Sequence, residues 1–285
     1  MSGFAYFIST FKDPQNIVRL VNVLDMDSNK FYVHFDKAIG IQRFKSWKKL
    51  IEQKIQTRNI KIVSEVQCRW ASFGIVEATL NAMDYFENFE YRYFINLTGE
   101  CYPLKSSRRI WETLKDENAG FMTFWKLPYE KWHEGGLNRI YNRFFFFSKK
   151  EYPYTRAVRL PRLRKKMPCD LKPYGGWSLF CLPKDMVSYI LKFLKNNPKV
   201  VSFFKHTWIP SEIIFQTILM SSAFNDRIVN DNKRYMEFIE AHPRFLTAKD
   251  FAMLKKSEKL FARKFSPSVD TQILDMIDKE LIGIG

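Results

Sequence analysis

Tyr91–Gly99 reads Tyr-Arg-Tyr-Phe-Ile-Asn-Leu-Thr-Gly, an apolar β-prone run that ends in a polar turn. A helical pattern at Ile75–Phe86 precedes it, and strand-like and helical stretches alternate further upstream. The other predicted strands are Ala5–Ser9, Phe31–Phe35 and Ile60–Ser64, and the other predicted helices lie near Ile17–Leu24 and Phe44–Ile55. This alternation predicts an α/β fold with a doubly wound, mostly parallel sheet flanked by helices.

The second half of the chain has a different composition. Ten basic residues and one acid lie in the range 139–166, which we interpret as an irregular basic insertion. Regular structure is expected to resume with a strand at Gly176–Leu182, a helix at Asp185–Lys195 and a buried helix at Ser211–Met220. With 285 residues, 46% of them hydrophobic, the chain can bury a full core as a single domain.

The formal net charge of +16 predicts an anionic partner: a nucleotide, a nucleic acid, an acidic glycan or a lipid headgroup surface. The four cysteines form no CxxC pair and the four histidines stand at no ligand spacing to them, so we expect no metal site. Scattered thiols fit a reducing compartment. The N-terminus does not resemble a signal peptide and no apolar run approaches 18 residues, so we expect a cytoplasmic protein.

Candidate site residues come first from the strand ends, because ligands of such sheets bind at the carboxyl ends of the strands. Ser9, Asp36 and the turn Thr98–Cys101 are therefore candidates. Asp36 has two readings: an acceptor of hydrogen bonds from a ribose or base, or a turn or helix cap. There is no GxGxxG or GxxxxGK[ST] phosphate loop, and we also expect no DxD metal anchor.

Glu212 follows Pro210 at the start of the predicted buried helix. It is either a helix-start carboxylate favoured by the dipole or a rigidly held general base. The pair Arg263-Lys264 lies among aromatic residues, which confines it more than a surface lysine. Aromatic residues among the arginines of the insertion leave a second class open, a non-catalytic binder of polyanions or single-stranded nucleic acid.

Seven segments, in order over nearly the whole chain, carry a family pattern. They are Ala5–Ser9 with Lys12-Asp13-Pro14, Val33–Lys37, Arg69–Ser72 with Val76-Glu77-Ala78, Tyr93–Leu104, Gly175–Leu179, Pro210–Glu212 with Phe215–Ile218, and Leu260–Phe265. Together they resemble the core-2/I-branching β-1,6-N-acetylglucosaminyltransferases and the peptide O-xylosyltransferases. The specificity lies in their order, since each segment alone is a weak match.

The resemblance implies a GT-A-like fold and an inverting transfer from a UDP-sugar without a metal. It makes Glu212 the base and Lys264, with Arg244, the clamp on the diphosphate. Asp36 would face the nucleoside, with Ser9, Gly99 and Glu100 also in the donor site, and the acceptor would meet Trp177, Trp208 and Arg139. Residues 1–285 would form one domain, with a nucleotide-binding half at 1–110 and an acceptor-binding, catalytic half at 111–285.

Two departures stand out. Ser211 replaces the first acid of the base motif, and Cys101 takes the acidic place in the loop after Leu97.

From the resemblance we expect N-acetylglucosamine as the donor sugar, with xylose second, and a hydroxyl of an oligosaccharide or lipid-linked glycan as acceptor in surface polysaccharide synthesis. The disulfide cysteines and membrane anchor of animal members are missing, which suggests a cytoplasmic bacterial-type relative.

The basic insertion is expected to face an acidic glycan, a lipid-diphosphate acceptor or the anionic inner face of the membrane. Arg159, Arg162, Arg164, Lys165 and Lys166 are its candidate contacts. A merely solubilising basic face is the alternative for this segment. The non-catalytic binding protein stays as the alternative for the whole chain.

Overall fold

The computed structural model describes residues 2–148, 155–160, 164–239 and 242–284. Its strands are β1 (Phe4–Thr10), β2 (Lys30–Phe35), β3 (Ile60–Val63), β4 (Tyr93–Thr98), β5 (Cys101–Pro103), β6 (Gly120–Met122), β7 (Trp125–Lys126), β8 (Arg143–Ser148), β9 (Thr155–Leu160), β10 (Tyr174–Gly175), β11 (Phe180–Pro183), β12 (Ile228–Val229), β13 (Arg234–Tyr235), β14 (Phe238–Ile239), β15 (His242–Pro243) and β16 (Phe261–Arg263). Its α-helices are α1 (Pro14–Leu24), α2 (Ile41–Lys54), α3 (Gly74–Glu87), α4 (Ser107–Leu114), α5 (Leu137–Tyr141), α6 (Lys184–Asn196), α7 (Pro198–Lys205), α8 (Ile214–Met220), α9 (Phe251–Lys256) and α10 (Gln272–Ile277).

A seven-stranded sheet in the order β12-β6-β11-β4-β1-β2-β3 forms the centre of the molecule. The strands β3, β2, β1 and β4 are parallel neighbours, while β11 runs antiparallel to both β4 and β6. The predicted α/β fold with a mostly parallel, doubly wound sheet is confirmed. Strands from the second half of the chain extend the sheet that the first half begins.

The central strands are buried on both faces, and alternation along β1 shows how. Phe4, Tyr6 and Ile8 pack into one apolar cluster with helices α1 and α2. Ala5 and Phe7 point to the opposite face and pack into a second cluster with α3 and α6. Because both faces are covered by helices, the strand reads as a continuous apolar run in the sequence, as is typical of buried parallel strands.

The carboxyl ends of the parallel strands are tied together by backbone hydrogen bonds. The amide of Gly99 donates to the carbonyl of Ser9 at 2.9 Å, and the amide of Asp36 donates to the carbonyl of Thr10 at 2.8 Å. A side chain at Gly99 would lie 2.6 Å from the Thr10 hydroxyl, so this position needs glycine for close packing. These bonds hold the predicted donor-site residues along one edge of the sheet.

The basic insertion is more regular than predicted. Residues 137–141 form α5, and β8 pairs with β9 as an antiparallel hairpin. The aromatic run Phe144–Phe147 explains the difference, because aromatic residues favour the extended, half-buried surface of a strand. Lys149, Lys150 and Arg162, which belong to the predicted insertion, lie outside the described residues. No helix in the described ranges is long and apolar enough to cross a bilayer.

Lys165 is not a surface contact of this insertion, contrary to the prediction. Its side chain is buried, and its ammonium donates to the carbonyls of Phe203 and His206 and to the hydroxyl of Thr207, at 2.8–3.0 Å. Burial, and to a smaller extent the positive charge of Arg143, lower the pKa of Lys165 to about 7. Lys165 therefore ties the end of the insertion to the carbonyls at the end of α7.

We expect Lys165→Met to destabilise the fold, because it leaves two buried carbonyls and a hydroxyl without their donor. The expected loss in free energy of unfolding is about 1–3 kcal/mol, measured by urea denaturation at pH 7. Lys166→Met is the matched control, since Lys166 is exposed. Equal stability of the two variants would contradict the structural role of Lys165.

The difference in stability between the wild type and Lys165→Met should depend on pH. The unfolded lysine has a pKa of about 10.4, so between this value and about 7 the unfolded state binds more protons at Lys165 than the folded state. Wild-type stability should therefore rise with pH in this window relative to Lys165→Met, which has no group to titrate there. The deficit of Lys165→Met should thus grow from pH 7 to pH 9.

Candidate active site

Glu212 ends a short 3-10 turn, Pro210–Glu212, that sits against two other loops. The amide of Ile209 donates to the carbonyl of Ala71 at 2.9 Å, and the amide of Gly176 donates to the carbonyl of Glu212 at 2.8 Å. The prediction that Glu212 opens the buried helix is wrong. Ile213, with φ −136° and ψ −44°, separates the turn from α8, so the helix dipole is not what holds this carboxylate.

Arg139 holds the Glu212 side chain instead. Its guanidinium donates to the carboxylate at 2.9 Å, and its carbon Cζ lies 3.8 Å from the centre of the Trp132 ring. Only about a fifth of either side chain is exposed, 21% for Arg139 and 20% for Glu212. Burial raises the pKa of Glu212 above its ordinary value, and the charge and hydrogen bond of Arg139 oppose this shift without reversing it. The predicted acceptor residue Arg139 is thus a direct partner of the predicted base.

A second centre lies where β1 and β4 end, around the carboxylate of Glu100. The ammonium of Lys12 is 2.8 Å from it, and the cations of Arg263 and Lys264 both lie 3.6 Å away. Lys264 also lies 4.6 Å from the centre of the Phe245 ring. Three cations facing one carboxylate leave two positive charges, which suits the binding of a diphosphate.

Arg244, the other predicted clamp residue, has different partners. Its guanidinium is hydrogen-bonded to the carboxylates of Glu237 and Asp250, with the Asp250 contacts at 2.6 and 2.9 Å. The hydrogen bond to Asp250 contributes most to raising the pKa of Arg244. The positive charge of Arg244 is therefore offset within the protein. The segment that follows Arg244 holds the backbone of Lys264 in place, because the amide of Leu246 donates to the carbonyl of Lys264 at 2.8 Å.

Asp36 makes structural contacts with both carboxylate oxygens. One accepts from the amide of Ala38 at 2.9 Å and caps the 3-10 turn Lys37–Ile39, and the other accepts from the amide of Cys68 at 3.0 Å. These contacts agree with the interpretation of Asp36 as a turn or helix cap. A contact of Asp36 with a nucleoside stays a prediction, as do the donor-site roles of Ser9 and Gly99, which lie at the strand ends beside it.

The two predicted acceptor tryptophans lie in aromatic clusters. Trp177 stacks on Phe238, with ring centres 4.8 Å apart, and meets the edge of Trp125. Trp208 contacts Trp70 edge to face at 5.3 Å and packs against Phe144 and Phe146 of the hairpin. The amide of Trp208 donates to the carbonyl of Arg139 at 3.1 Å. Trp208 therefore joins the hairpin to the Arg139–Glu212 pair.

The two centres meet through β4. The side chain of Asn96 donates to the carbonyl of Ser178 at 2.7 Å and accepts from the amide of Phe180 at 2.6 Å. The segment Gly176–Ser178 thus connects Glu212 with the strand that leads to Glu100. Lys12 was not among the predicted site residues, although it closely follows the first strand, and ligands of such sheets bind at strand ends. Binding of the diphosphate was predicted for Lys264 but not for its neighbour Arg263.

The predicted absence of a DxD string is wrong, because Asp25-Met26-Asp27 is one. It lies between α1 and β2, at the amino-terminal edge of the sheet and so away from Glu100 and Glu212. Among the described residues, no group of three or more His, Cys, Asp and Glu side chains could hold a metal ion. Metal independence itself stays a prediction.

The family described as Core-2/I-Branching enzyme matches residues 4–256. The chain belongs to this family. The family predicted from the sequence is therefore confirmed, and it is described as a family of enzymes. Glu212, Arg139, Lys12 and Glu100 lie inside the matched range, whereas Arg263 and Lys264 lie beyond its end. The GT-A-like sheet expected from the sequence agrees with this membership.

Individual relatives are more distant. Xylosyltransferase 2 of Canis lupus familiaris is 21% identical over 296 aligned positions, which cover 94% of this chain and 32% of the relative. Beta-glucuronosyltransferase GlcAT14B of Arabidopsis thaliana is 25% identical over 294 positions, covering 98% of this chain and 66% of the relative. The chain thus spans about a third of the length of the xylosyltransferases it matches.

Among solved structures, the galactosyltransferase LgtC in complex with donor and acceptor sugar analogs overlaps 92% of this chain and 87% of its own, with a TM-score of 0.45 and 10% identity.

The Arg139–Glu212 contact predicts a change in acidity. We expect Arg139→Met to raise the pKa of Glu212, because the variant keeps the burial that favours the neutral acid and removes the cation that favours the carboxylate. The measurement is an NMR titration of the side-chain carboxyl signals, with Glu212→Gln used to assign the resonance. An unchanged pKa in Arg139→Met would show that the two groups are not in contact in solution.

Proposed function

We propose that this protein is an inverting, metal-independent glycosyltransferase that moves a sugar from a UDP-sugar to a hydroxyl of a glycan. The observation that carries the proposal is the pairing of two centres on one edge of the sheet. One is a largely covered carboxylate fixed by Arg139, and the other is a group of cations with two charges in excess. Inverting transfer needs these two elements: a base for the acceptor and a positive site for the leaving group.

Glu212 is the base in this proposal. Its carboxylate takes the proton of the acceptor hydroxyl while that oxygen forms a bond to the anomeric carbon of the donor sugar. The bond from the anomeric carbon to the phosphate oxygen breaks at the same time, and UDP leaves with the electron pair. Arg139 favours the ionised form of Glu212 against the effect of burial and fixes the orientation of the carboxylate, which supports its use as a base.

Lys264 and Arg263 hold the diphosphate and stabilise its developing charge, while Lys12 offsets most of the charge of Glu100. The distances support this division, since Lys12 is close to Glu100 and the other two cations are at 3.6 Å. Arg244 was expected in this clamp. We assign it instead to fixing the segment that presents Phe245 and Lys264, because two carboxylates already surround it.

For the donor we propose UDP-N-acetylglucosamine first and UDP-xylose second, on the family likeness alone. The acceptor is an oligosaccharide or a lipid-linked glycan in the synthesis of a surface polysaccharide, met on the side of Trp177, Trp208 and Arg139. We also propose a cytoplasmic protein that associates peripherally with an anionic membrane, and the exposed Arg159 of the described hairpin supports the membrane contact. No observation in the described structure favours the nucleic-acid-binding alternative.

The first test concerns Glu212. We expect Glu212→Gln to keep UDP binding and to lower turnover by roughly 100-fold or more, the usual scale for a general base. The assay is donor hydrolysis and transfer with UDP-N-acetylglucosamine and UDP-xylose. Glu258→Gln, which removes an exposed carboxylate far along the chain, is the control and should stay active. Wild-type turnover in Glu212→Gln would remove Glu212 from the mechanism.

The second test concerns the cation group and the metal. In excess EDTA, Lys264→Ala should weaken UDP by about 10- to 150-fold and uridine much less, because one charge-assisted contact to phosphate is worth about 1.5–3 kcal/mol. Glu100→Gln should act in the opposite direction and tighten UDP, since it removes the only carboxylate that the described structure places in the group.

Isothermal titration calorimetry measures both affinities, with single-stranded DNA as a ligand that should not compete with UDP. Loss of UDP binding or of transfer in EDTA, restored by Mn²⁺, would contradict metal independence. In that case Glu100 becomes the first candidate for a metal ligand.

A further inference from the structure

A cavity of about 360 Å³ lies beside the proposed catalytic residues and has no role in the chemistry described above. One wall is the loop between β3 and α3 with the first turn of α3, and the other is strand β8 of the hairpin with the end of α7. The residues that matter for its chemistry are Gln67, Arg69, Glu77, Phe147, Lys205 and His206. Its size is at the lower end of the range for small-molecule sites, about 300–1,000 Å³.

The hairpin wall is aromatic. All four residues Phe144–Phe147 line the cavity, and Phe147 keeps 53% of its surface exposed. Trp70, next to the lining residue Arg69, is 55% exposed. Exposed aromatic faces combined with amide, hydroxyl and guanidinium groups favour a ligand with both C–H faces and hydroxyl groups, which is the chemistry of a sugar ring.

Both walls carry charge. Lys205 lies on the hairpin side and Arg69 on the other, together with one carboxylate, Glu77, so these three charged side chains have a positive formal sum. Lys205 is exposed at the end of α7. A positive rim favours a sugar with an acidic substituent over a neutral sugar.

The walls of the cavity contact the proposed catalytic loop. Phe144 and Phe146 pack against Trp208, which lies four residues before Glu212. Ala71, between the cavity residues Arg69 and Ser72, accepts the hydrogen bond from Ile209 of the same loop. The wall of the cavity and the proposed catalytic loop are therefore in direct contact, which makes the acceptor of that loop the first candidate for the ligand of the cavity.

We propose that the cavity binds an acidic sugar residue of the acceptor glycan, at a distance from the sugar whose hydroxyl faces Glu212. The proposal rests on the glycosyltransferase function proposed above and names the acceptor class for it. Phe147 supplies the face on which the ring stacks, and Lys205 supplies charge for the acidic group. Glu77 disfavours the same acidic group and so limits the affinity.

The test compares two probes that differ only in charge: a tetrasaccharide of alternating glucuronic acid and N-acetylglucosamine, and the same tetrasaccharide with its carboxyl groups reduced. Binding to the full chain is measured by calorimetry in the presence of UDP. Lys205→Gln should weaken the acidic probe by about 2- to 5-fold, the range for a partly exposed ion pair, and leave the reduced probe unchanged. Glu77→Gln should tighten the acidic probe only.

Phe147→Ala should weaken both probes by about 2- to 10-fold, because the aromatic contact does not depend on charge. Lys199→Gln is the matched control: it removes an exposed lysine from the same helix outside the cavity and should change neither affinity. UDP affinity should stay the same in all four variants.

Several outcomes would overturn the proposal. Equal effects of Lys205→Gln and Lys199→Gln would show that the charge acts only at long range. Binding of an acidic peptide, but of neither tetrasaccharide, would assign the cavity to another class of molecule. If UDP binds and neither tetrasaccharide does, the cavity proposal fails and the proposed function remains, whereas failure to bind UDP contradicts the proposed function itself.

Discussion

The side chain of Asn96 connects the two halves of this molecule. It lies in β4, buried, and bonds in both directions to the backbone of the segment Ser178–Phe180. The buried Arg234 adds bonds to the carbonyls of Asn96 and Phe180. These bonds give partners to backbone groups of the segment that precedes the ladder between β11 and β4, and buried polar groups without partners are costly. The position of the Glu212 loop depends on this junction, since Gly176 binds the Glu212 carbonyl.

Burial and charge are balanced differently at the two centres. At Glu212, one carboxylate meets one arginine in a protected position, so removal of either partner leaves the other with an uncompensated charge. At Glu100, three cations share one carboxylate, and the excess charge is available to a ligand. The first arrangement suits a base that must be held in one orientation while it takes up a proton. The second suits a site that binds and releases an anion. Lys165, buried and bound only to neutral groups among its described partners, serves the fold alone.

The hairpin extends the active-site edge of the sheet with aromatic surface. Its strand β8 is anchored at both sides, by the bond from the Phe144 amide to the His206 carbonyl and by the contacts of Phe144 and Phe146 with Trp208. The same run of four phenylalanines thus provides packing on one side and cavity lining on the other. Sequence composition shows the aromatic and basic character of this segment, but only the pairing with β9 and the packing on Trp208 show which residues face a ligand.

The sequence by itself determined the class of the sheet, the position of most first-half helices and strands, the family and the candidate base, because apolar periodicity and short motifs are local properties of the chain. It also placed Ser9, Asp36 and Gly99 at strand ends. The partners of charged residues were decided only by the tertiary structure. Arg139 and Glu212 are 73 positions apart, and Lys12 is far in sequence from Glu100 and Lys264. Arg244 is held by Glu237 and Asp250, and Lys165 by α7. Ion pairs act through space over a few ångströms, so no local pattern specifies which cation meets which carboxylate.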